Sequence, residues 1–411
     1  MIAIIGGGAA GFFAAIRARE VNPEAEVIIY EKGNNPLAKV AVTGGGRCNL
    51  TNSFAAVKDL KKVYPRGDKL MKRLFKTFDY RDTYEWFERR GVPLVTQDDE
   101  CVFPQSQSSQ SIIDCLMNEA ERLGVKVKTG HRLTEITPRD GRLLLNFEGR
   151  PELVAASGVI VTTGGHPSLS SFDYLKRLGH EIVPPVPSLF TFNVGDKEFR
   201  DLMGTVGTNA QMSVVGESMR SEGPLLITHW GMSGPCTLRL SSYAARWASE
   251  RNYRFRVAVN WVGESNCNSV VESLVKLASQ HAARQMVNVH PYGLPARLWA
   301  YLLQKSGIPQ ERRWGELGRK GINRLMETLT NDIYTVEGKS RWREEFVTCG
   351  GVSLASINPN TLESKHVKGL YFTGEVTDVD AVTGGFNLQA AWTMGYVAGT
   401  HSARNEEVTG E

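Results

Sequence analysis

The residues of this sequence whose types and spacing suit chemistry begin at a glycine-rich turn near the start of the chain. Gly6-x-Gly8-x-x-Gly11 directly follows a short apolar run and opens a helical pattern. Gly6 permits a tight turn, Gly8 lets the backbone approach a pyrophosphate, and Gly11 lets a helix pack closely on a strand. The N–H groups at the start of that helix would face the phosphates. The spacing predicts a dinucleotide-binding turn.

An acidic residue stands where a dinucleotide site needs one. Glu31 lies 20 positions after Gly11, at the end of a second strand pattern that runs from Glu26 to Tyr30. A carboxylate at that point suits the hydroxyls of a ribose. Strand, turn, helix and strand thus follow one another within 31 residues, which is the opening of a βαβ unit. A glycine-rich turn that only packs is the weaker interpretation.

A second cluster combines three glycines with hydrogen-bond donors, in the order Gly44-Gly45-Gly46-Arg47-Cys48-Asn49. Three glycines remove side chains where a backbone passes a flat group. Arg47 and Asn49 offer donors, and a flavin needs donors or positive charge near its N1–C2=O edge as it is reduced. The competing interpretation is a surface loop with a solvated arginine. Cys48 is either redox-active or a small packed residue.

Three further loops follow apolar strands or precede a helix. Thr163-Gly164 and Gly374-Glu375 each come after a short apolar run, and the segment 383–388 opens the last helix. In a doubly wound sheet, ligands lie beyond the carboxyl ends of the strands, so these loops are expected to share one crevice. The start of the last helix would stabilise negative charge on a reduced flavin.

Composition excludes several classes of protein. The chain has 411 residues, a net charge of +4 and 22% charged residues, which is typical of a globular protein with two or three domains. Its six cysteines form no CxxC pair and no metal-type spacing with histidine, so neither a disulfide framework nor a metal is expected. No apolar run approaches the roughly 20 residues of a membrane span. We expect a cytoplasmic protein without a membrane partner.

The order of predicted elements indicates an α/β protein in which an insertion divides the first domain. A helix is predicted over 69–91, a hairpin turn at Asp140-Gly141, and a domain boundary at the prolines of 184–187. Strand patterns, including one over 343–347, flank a segment of short helices. Changes in composition place boundaries near 188, 265, 335 and 348.

Several segments, taken in order, carry a resemblance to a known family. GGGAAG, VTGGGRCNLTN, TTGG, ITHWGMSGP, TCGGV and GLYFTGEVTDVDAVTGGFNLQAAWTMG resemble the bacterial flavoproteins that include aminoacetone oxidase, a bile-acid 4,6-dehydro reductase and the ribosomal RNA dihydrouridine synthase. The resemblance covers almost the whole chain. It implies a Rossmann-like FAD-binding domain of the two-dinucleotide-binding-domain superfamily over 1–187 and 348–411. It also implies a β-barrel-like insertion over 188–264 and 331–347, with a helical insertion over 265–330 nested within it.

The resemblance and the glycine-rich loops together give the predicted contacts of a non-covalent FAD. Those of the AMP and pyrophosphate half are Gly6, Gly8, Ala9, Ala10, Gly11, Glu31 and Lys32, with Leu133 meeting the adenine through its backbone. Those of the remainder are Lys39, Thr43, Gly44, Gly45, Gly46, Arg47, Cys48, Asn49, Thr163, Gly164, Gly374, Glu375, Asp380, Gly385, Phe386 and Asn387. One departure stands out, because Leu37-Ala38 precede Lys39 where the family usually has Gly-Arg.

The reaction is a hypothesis built on the predicted flavin. Two of the family activities act on a C=C conjugated to a carbonyl, which indicates hydride transfer to a uracil ring in ribosomal RNA or to an enone-type small molecule. His229, within 228–235, is the candidate proton donor or enolate-binding residue, with Arg47 at the flavin; a histidine that only orders its loop is the alternative, and His166 is a weaker candidate. The rival functions are an amine oxidase that passes electrons to oxygen and a non-catalytic flavin-bearing redox sensor.

Electron donors and substrates are also predicted in outline. No second GxGxxG follows a strand, so reducing equivalents are expected from transiently bound NAD(P)H or from a partner reductase. From Lys58 to Arg81 there are nine Lys or Arg against three Asp. Such a run suits phosphate contacts with ribosomal RNA, although a solvated helix face has the same composition.

Overall fold

A computed structural model describes residues 1–339 and 347–407. Its chain divides into two compact units. Unit 1 comprises Met1–Val186 and Val347–Glu411, and unit 2 comprises Pro187–Phe346. Strands and helices are numbered below along the chain. The strand predicted over 343–347 falls almost entirely outside the described residues.

A five-stranded parallel sheet forms the centre of unit 1. Its strands, in spatial order, are β19 (Leu370–Phe372), β10 (Gly158–Val161), β1 (Ile2–Ile5), β2 (Val27–Tyr30) and β6 (Lys126–Lys128). Every residue of the four strands from β19 to β2 is buried, as expected of parallel strands covered on both faces. β1 lies in the middle, with β10 and β2 in register on either side of it.

The first and last helices pack together, which explains why both ends of the chain share one unit. These are α1 (Ala9–Val21) and α12 (Phe386–Glu407). A Cβ at Gly399 would lie 2.4 Å from the carbonyl oxygen of Ala14, so only glycine allows this approach. The Phe13 and Trp392 rings, 5.4 Å apart, fill the space beside it. The α/β fold is as predicted.

Smaller sheets complete unit 1. They are the three-stranded sheet of β3 (Thr51–Asn52), β5 (Cys101–Pro104) and β4 (Leu94–Thr96), that of β7 (Leu133–Arg139), β8 (Arg142–Phe147) and β9 (Val154–Ala156), and the pair of β11 (Ile182–Ser188) with β18 (Val347–Val352). Asp140 and Gly141 both have a positive φ, of 50° and 74°, as a two-residue hairpin loop requires. The predicted hairpin between β7 and β8 is confirmed.

The remaining helices of unit 1 correct one prediction. They are α2 (Ala38–Gly46), α3 (Asp68–Leu74), α4 (Tyr80–Glu88), α5 (Ser109–Arg122) and α6 (Asp173–Lys176). The single helix predicted over 69–91 was wrong, because the chain breaks between α3 and α4. Asp79 adopts an extended backbone, and its carboxylate accepts from the N–H groups of Arg81 and Asp82, forming a capping box that starts a new helix.

Unit 2 contains a closed six-stranded barrel and a group of helices. The barrel strands, in spatial order, are β12 (Phe192–Val194), β15 (Gly231–Ser233), β14 (Arg220–Thr228), β13 (Val206–Val214), β16 (Phe255–Asn260) and β17 (Asp332–Lys339). The helices are α7 (Lys197–Arg200), α8 (Gly234–Glu250), α9 (Cys267–Gln280), α10 (Ala296–Lys305) and α11 (Gly318–Thr330). One apolar cluster runs through the barrel and into α9–α11, so the helical segment shares the core of the barrel.

Candidate functional site

The turn between β1 and α1 has the shape that a pyrophosphate needs. A Cβ at Gly11 would lie 2.0 Å from the carbonyl oxygen of Gly6, so glycine is obligatory for the helix to pack there. Gly8 differs, because a Cβ there would meet no atom within 4 Å. No side chain caps the start of α1. The N–H groups of the first turn, which includes Ala9 and Ala10, therefore suit an anionic phosphate.

Glu31 lies at the carboxyl end of β2 beside this turn. Its carboxylate accepts hydrogen bonds of 2.7 Å from the backbone N–H groups of Gly7 and Gly33. The Glu31 carbonyl accepts from the His131 N–H at 2.8 Å, so the strand that begins at Leu133 follows directly on a segment paired with residue 31. The structure thus brings together the predicted ribose and adenine residues, and Lys32 is exposed next to them.

The triple-glycine segment at the end of α2 leaves the helical conformation. Gly44, Gly45 and Gly46 have φ values of 58°, 69° and 85°, which glycine adopts without strain. Asn49, with its amide nitrogen turned toward the carbonyl of Thr51, accepts from the N–H of Gly385 at 3.2 Å.

The start of α12 lies against the same segment. A Cβ at Gly385 would lie 2.1 Å from the Thr51 oxygen, so glycine is needed for this approach. The two most specific motifs of the sequence, residues 44–52 and 383–388, therefore form one wall of the site.

Arg47 and Cys48 differ sharply in exposure. The Arg47 guanidinium lies 4.4 Å above the Phe103 ring and donates to Gln107 at 3.3 Å, which holds an exposed positive charge beside the glycines. Cys48 is fully buried, and burial raises the pKa of its thiol to about 12. A thiol that stays protonated is a poor nucleophile, so Cys48 is a packing residue.

Glu375, in the loop after β19, connects α2, β18 and the loop after β10. It accepts from Lys39 Nζ at 2.8 Å and from the Thr348 N–H at 2.9 Å. The loop after β10, with Thr163 and Gly164, passes the same carboxylate, since a Cβ at Gly165 would lie 2.6 Å from it.

The loop after β19 also reaches α1, because a Cβ at Gly374 would lie 3.0 Å from that of Ala10. The loops after β10 and β19 therefore converge on one crevice, with Lys39 at its edge.

The departure at Leu37 has a visible consequence. Leu37 is 1% exposed and has a φ of 58°, a region that glycine adopts easily and leucine adopts at a cost of about 1–2 kcal/mol. The glycine expected there from the family pattern fits this backbone. Here the buried leucine side chain offsets the strain.

The loop before α12 is braced by residues that the sequence did not single out as part of the site. Arg66 pairs with the fully buried carboxylate of Asp380, and the Tyr64 hydroxyl donates to the Phe386 carbonyl at 2.9 Å. Asn387 exchanges two hydrogen bonds of 2.9 Å with the backbone of Ala381. In the sequence, Arg66 is one cation in a basic run, and only tertiary structure separates it from its neighbours.

His229 belongs to unit 2, in the exposed turn between β14 and β15. Its ring centroid is 4.1 Å from that of Trp230. Thr228 fixes the turn, because its hydroxyl accepts from the N–H of Gly231 at 3.3 Å. The side chain of His229 is therefore presented on an ordered turn of unit 2.

These residues suit the two halves of FAD. The uncapped start of α1, with Lys32 and Lys39, suits the pyrophosphate, and Glu31 suits a ribose. The wall formed by residues 44–52 and 383–388, with Arg47, suits a flat ring that gains negative charge on reduction. Together with the parallel sheet they define the class: the protein is an FAD-dependent oxidoreductase with a Rossmann-like FAD-binding domain.

Comparison with known proteins gives the family. The chain belongs to the HI0933-like proteins, whose Rossmann domain matches residues 1–401. It is 30% identical to a 3-dehydro-bile acid delta(4,6)-reductase of Clostridium scindens, with 98% of each chain covered. It is 28% identical to the ribosomal RNA dihydrouridine synthase of Escherichia coli, over 96% of this chain and 95% of that protein.

Solved structures confirm the fold class. The 3-ketosteroid-delta4-(5alpha)-dehydrogenase of Rhodococcus jostii has a TM-score of 0.52 at 15% identity, covering 98% of this chain and 96% of that chain. The 3-ketosteroid delta1-dehydrogenase of Sterolibacterium denitrificans has a TM-score of 0.51 at 11% identity, covering 98% and 99%.

Neither a metal-ligand cluster nor a membrane-spanning helix occurs within the described residues. Within residues 1–339 and 347–407, no group of three or more His, Cys, Asp or Glu side chains could hold a metal ion. In the same ranges, no helix combines the length and the apolar character that crossing a bilayer requires.

Proposed function

We propose that this protein is a reductase that adds hydride to a C=C bond conjugated to a carbonyl, in a uracil ring of ribosomal RNA or an enone-type small molecule. The observation that carries the proposal is full-length similarity to two kinds of relative. One is named a delta(4,6)-reductase of 3-dehydro bile acids and the other a dihydrouridine synthase. Both names describe saturation of such a bond. The contacts proposed for the FAD are the residues predicted above from the sequence.

Non-covalently bound FAD would supply the hydride, with reducing equivalents from NAD(P)H or a partner reductase. The protein's own residues would bind the FAD and orient it. Gly8 and the start of α1 would bind the phosphates, and Glu31 would bind the ribose. Lys39 lies beside the crevice, where it pairs with Glu375. Arg47 keeps a positive charge at the glycine wall, where negative charge grows during reduction. The inert Cys48 provides no competing redox group.

A proton must reach the α-carbon of the substrate after hydride has reached the β-carbon. We assign this role to His229, which could alternatively donate a hydrogen bond to the enolate oxygen. Its imidazole is exposed on a turn fixed by the hydrogen bond between Thr228 and Gly231, which supports this assignment.

The His229→Ala variant tests this role. The oxidation of reduced flavin by substrate should slow more than about tenfold, since a positioned acid contributes about 10²–10⁴-fold. Stopped-flow absorbance under anaerobic conditions measures the rate. His281→Ala, at a half-buried histidine elsewhere in unit 2, is the control. An unchanged rate in His229→Ala would remove the residue from the mechanism.

The choice of electron acceptor tests the proposed function itself. Reduced protein is mixed anaerobically with an unmodified ribosomal RNA fragment or a conjugated enone, and separately with oxygen. The proposal predicts fast reoxidation by one of the unsaturated substrates and slow reoxidation by oxygen. Fast reaction with oxygen and steady peroxide release with a small amine would instead establish an amine oxidase. Flavin that stays reduced with every acceptor would indicate a redox sensor.

A further inference from the structure

We propose that five lysines of unit 1 form a docking surface for the phosphates of RNA. This surface would hold the polynucleotide next to the segment 379–386 that leads into α12, here called the flavin loop. This surface, the basic face, consists of Lys58, Lys61, Lys69, Lys72 and Lys76. The inference rests on the proposed function, because it selects RNA from the two substrate classes given there.

The first argument is the exposure and spacing of the lysines. Lys69, Lys72 and Lys76 follow a spacing of three and four residues along α3 and the turn after it, and all three are exposed. Leu70 and Leu74 between them are buried. Lys69 and Lys72 lie three residues apart on α3 and share one exposed face of it. Lys76 is exposed on the turn that follows the helix.

The second argument is that these cations have no acidic partners. Among the described residues, none of the five lysines of the basic face takes part in an ion pair. Lysines elsewhere on unit 1 do, as Lys126 does with Glu26 and Lys176 with Asp173. Asp59, whose carboxylate accepts from the backbone N–H of Lys61, and Asp68 at the start of α3 lie in the same segment. Residues 58–81 contain nine Lys or Arg against three Asp, so the segment keeps an excess of positive charge.

The third argument is that the segment carrying the basic face is fixed to the flavin loop. The carbonyl of Val63 accepts from the Val382 N–H at 2.9 Å. A Cβ at Gly67 would lie 2.7 Å from the Val379 side chain, which shows how closely the segments pack. Arg66 and Tyr64, described above, add an ion pair to Asp380 and a hydrogen bond to Phe386. The lysines of the basic face therefore belong to a segment that packs directly against residues 379–386.

The chemistry of the basic face fits a polyanion. An ammonium group is a compact point charge that suits phosphates in many geometries and carries no sequence information. Five unpaired ammonium groups exceed what a small enone with few or no anionic groups would engage. An RNA strand offers a phosphate at every nucleotide, and its sequence-specific contacts are made elsewhere, at unstacked bases. The basic face would supply affinity and position, and the crevice would select the base.

The test uses the holoprotein and an unmodified ribosomal RNA fragment. The triple variant Lys69→Gln/Lys72→Gln/Lys76→Gln is compared with wild type and with a control, Lys126→Gln/Lys176→Gln/Lys320→Gln, which removes the same charge from other exposed positions. Fluorescence anisotropy gives the RNA affinity between about 50 and 200 mM salt. Each phosphate contact contributes about 0.7 to the slope of log affinity against log salt for single strands.

We expect the basic-face variant to lose about 2 units of this slope and at least about tenfold in affinity at the lower salt. The control should keep the wild-type slope. Its flavin spectrum, and that of the basic-face variant, should match wild type. Equal slopes in wild type and basic-face variant would overturn the docking surface, as would binding to vesicles rich in anionic lipid without binding to RNA.

Failure of the docking surface and failure of the proposed function give different results. If RNA reoxidises the reduced flavin equally well in wild type and the basic-face variant, and their affinities are equal, the function stands and the docking surface is wrong. If the variant loses RNA affinity but RNA never reoxidises the flavin of wild type, the docking surface stands and uracil reduction is wrong.

Discussion

At the scale of single residues, the charges around the loop after β10 set the protonation state of His166. Burial, followed by the positive charges of Lys32 and Lys39, lowers the pKa of this imidazole to about 4, against an opposing effect of Glu375. The imidazole is therefore neutral near pH 7. A neutral His166 adds no charge beside Lys32 and Lys39. Those two lysines therefore supply the positive charge that suits an anionic phosphate.

This protonation state predicts how stability depends on pH. The unfolded chain takes up a proton at His166 near the ordinary pKa of about 6.5, whereas the folded protein does so only near 4. The free energy of unfolding contributed by this residue is thus fully present above pH 6.5 and is lost as the pH falls toward 4. In the FAD-free protein, His166→Gln should therefore lose less stability than wild type between pH 7 and pH 5. Urea unfolding at the two pH values measures it, and identical losses would contradict the prediction.

At the scale of elements, local signals predicted some features and tertiary contacts decided others. The unit of β1, α1 and β2 could be predicted because its apolar runs, its glycines and Glu31 all lie within 31 residues. The break between α3 and α4 could not, since the apolar pattern continues through it and the capping by Asp79 decides the outcome. The sequence also placed residues 44–49 and 383–388 at one crevice. It did not show that Gly385 packs against Thr51, because that contact spans more than three hundred residues.

Two glycines of the first turn should respond in opposite ways to the same methyl group. Gly8→Ala should leave folding intact, because its φ of −94° suits any residue and a Cβ meets nothing within 4 Å. It should nevertheless weaken FAD binding, since the methyl would enter the space where the pyrophosphate is expected. Gly11→Ala should destabilise the protein with or without FAD, because its Cβ would meet the Gly6 carbonyl at 2.0 Å. Thermal unfolding of the FAD-free protein and titration of FAD fluorescence separate the two effects. Undiminished FAD affinity in Gly8→Ala would count against the assigned phosphate position.

At the scale of the whole molecule, each of the two units is stabilised by its own kind of internal contact. Unit 1 relies on close helix packing between α1 and α12. Unit 2 joins its helices to its barrel through a polar network inside an apolar core. Lys305 at the end of α10 pairs with Asp332 of β17 at 2.5 Å. The same carboxylate accepts from Tyr334 at 2.5 Å and from the Trp261 indole at 2.9 Å.

Removing one partner of this network should destabilise unit 2 without touching the cofactor residues of unit 1. The Asp332 side chain is 2% exposed, so Lys305→Met would leave its carboxylate buried without a cation, at a cost of about 3 kcal/mol in the free energy of unfolding. That is the low end of the usual range, because Lys305 is 30% exposed. The double variant Lys305→Met/Asp332→Asn should recover part of the loss, since no buried charge remains while Tyr334 and Trp261 keep an acceptor.

Lys320→Met, at an exposed position of α11, is the control for removing a lysine. Urea unfolding followed by tryptophan fluorescence measures all three variants, and FAD content should stay at the wild-type level in the folded proteins. If the single and double variants lost equal stability, the buried charge would not be what makes the network specific, and packing of the Lys305 side chain on the Tyr334 ring, 3.7 Å away, would account for the loss.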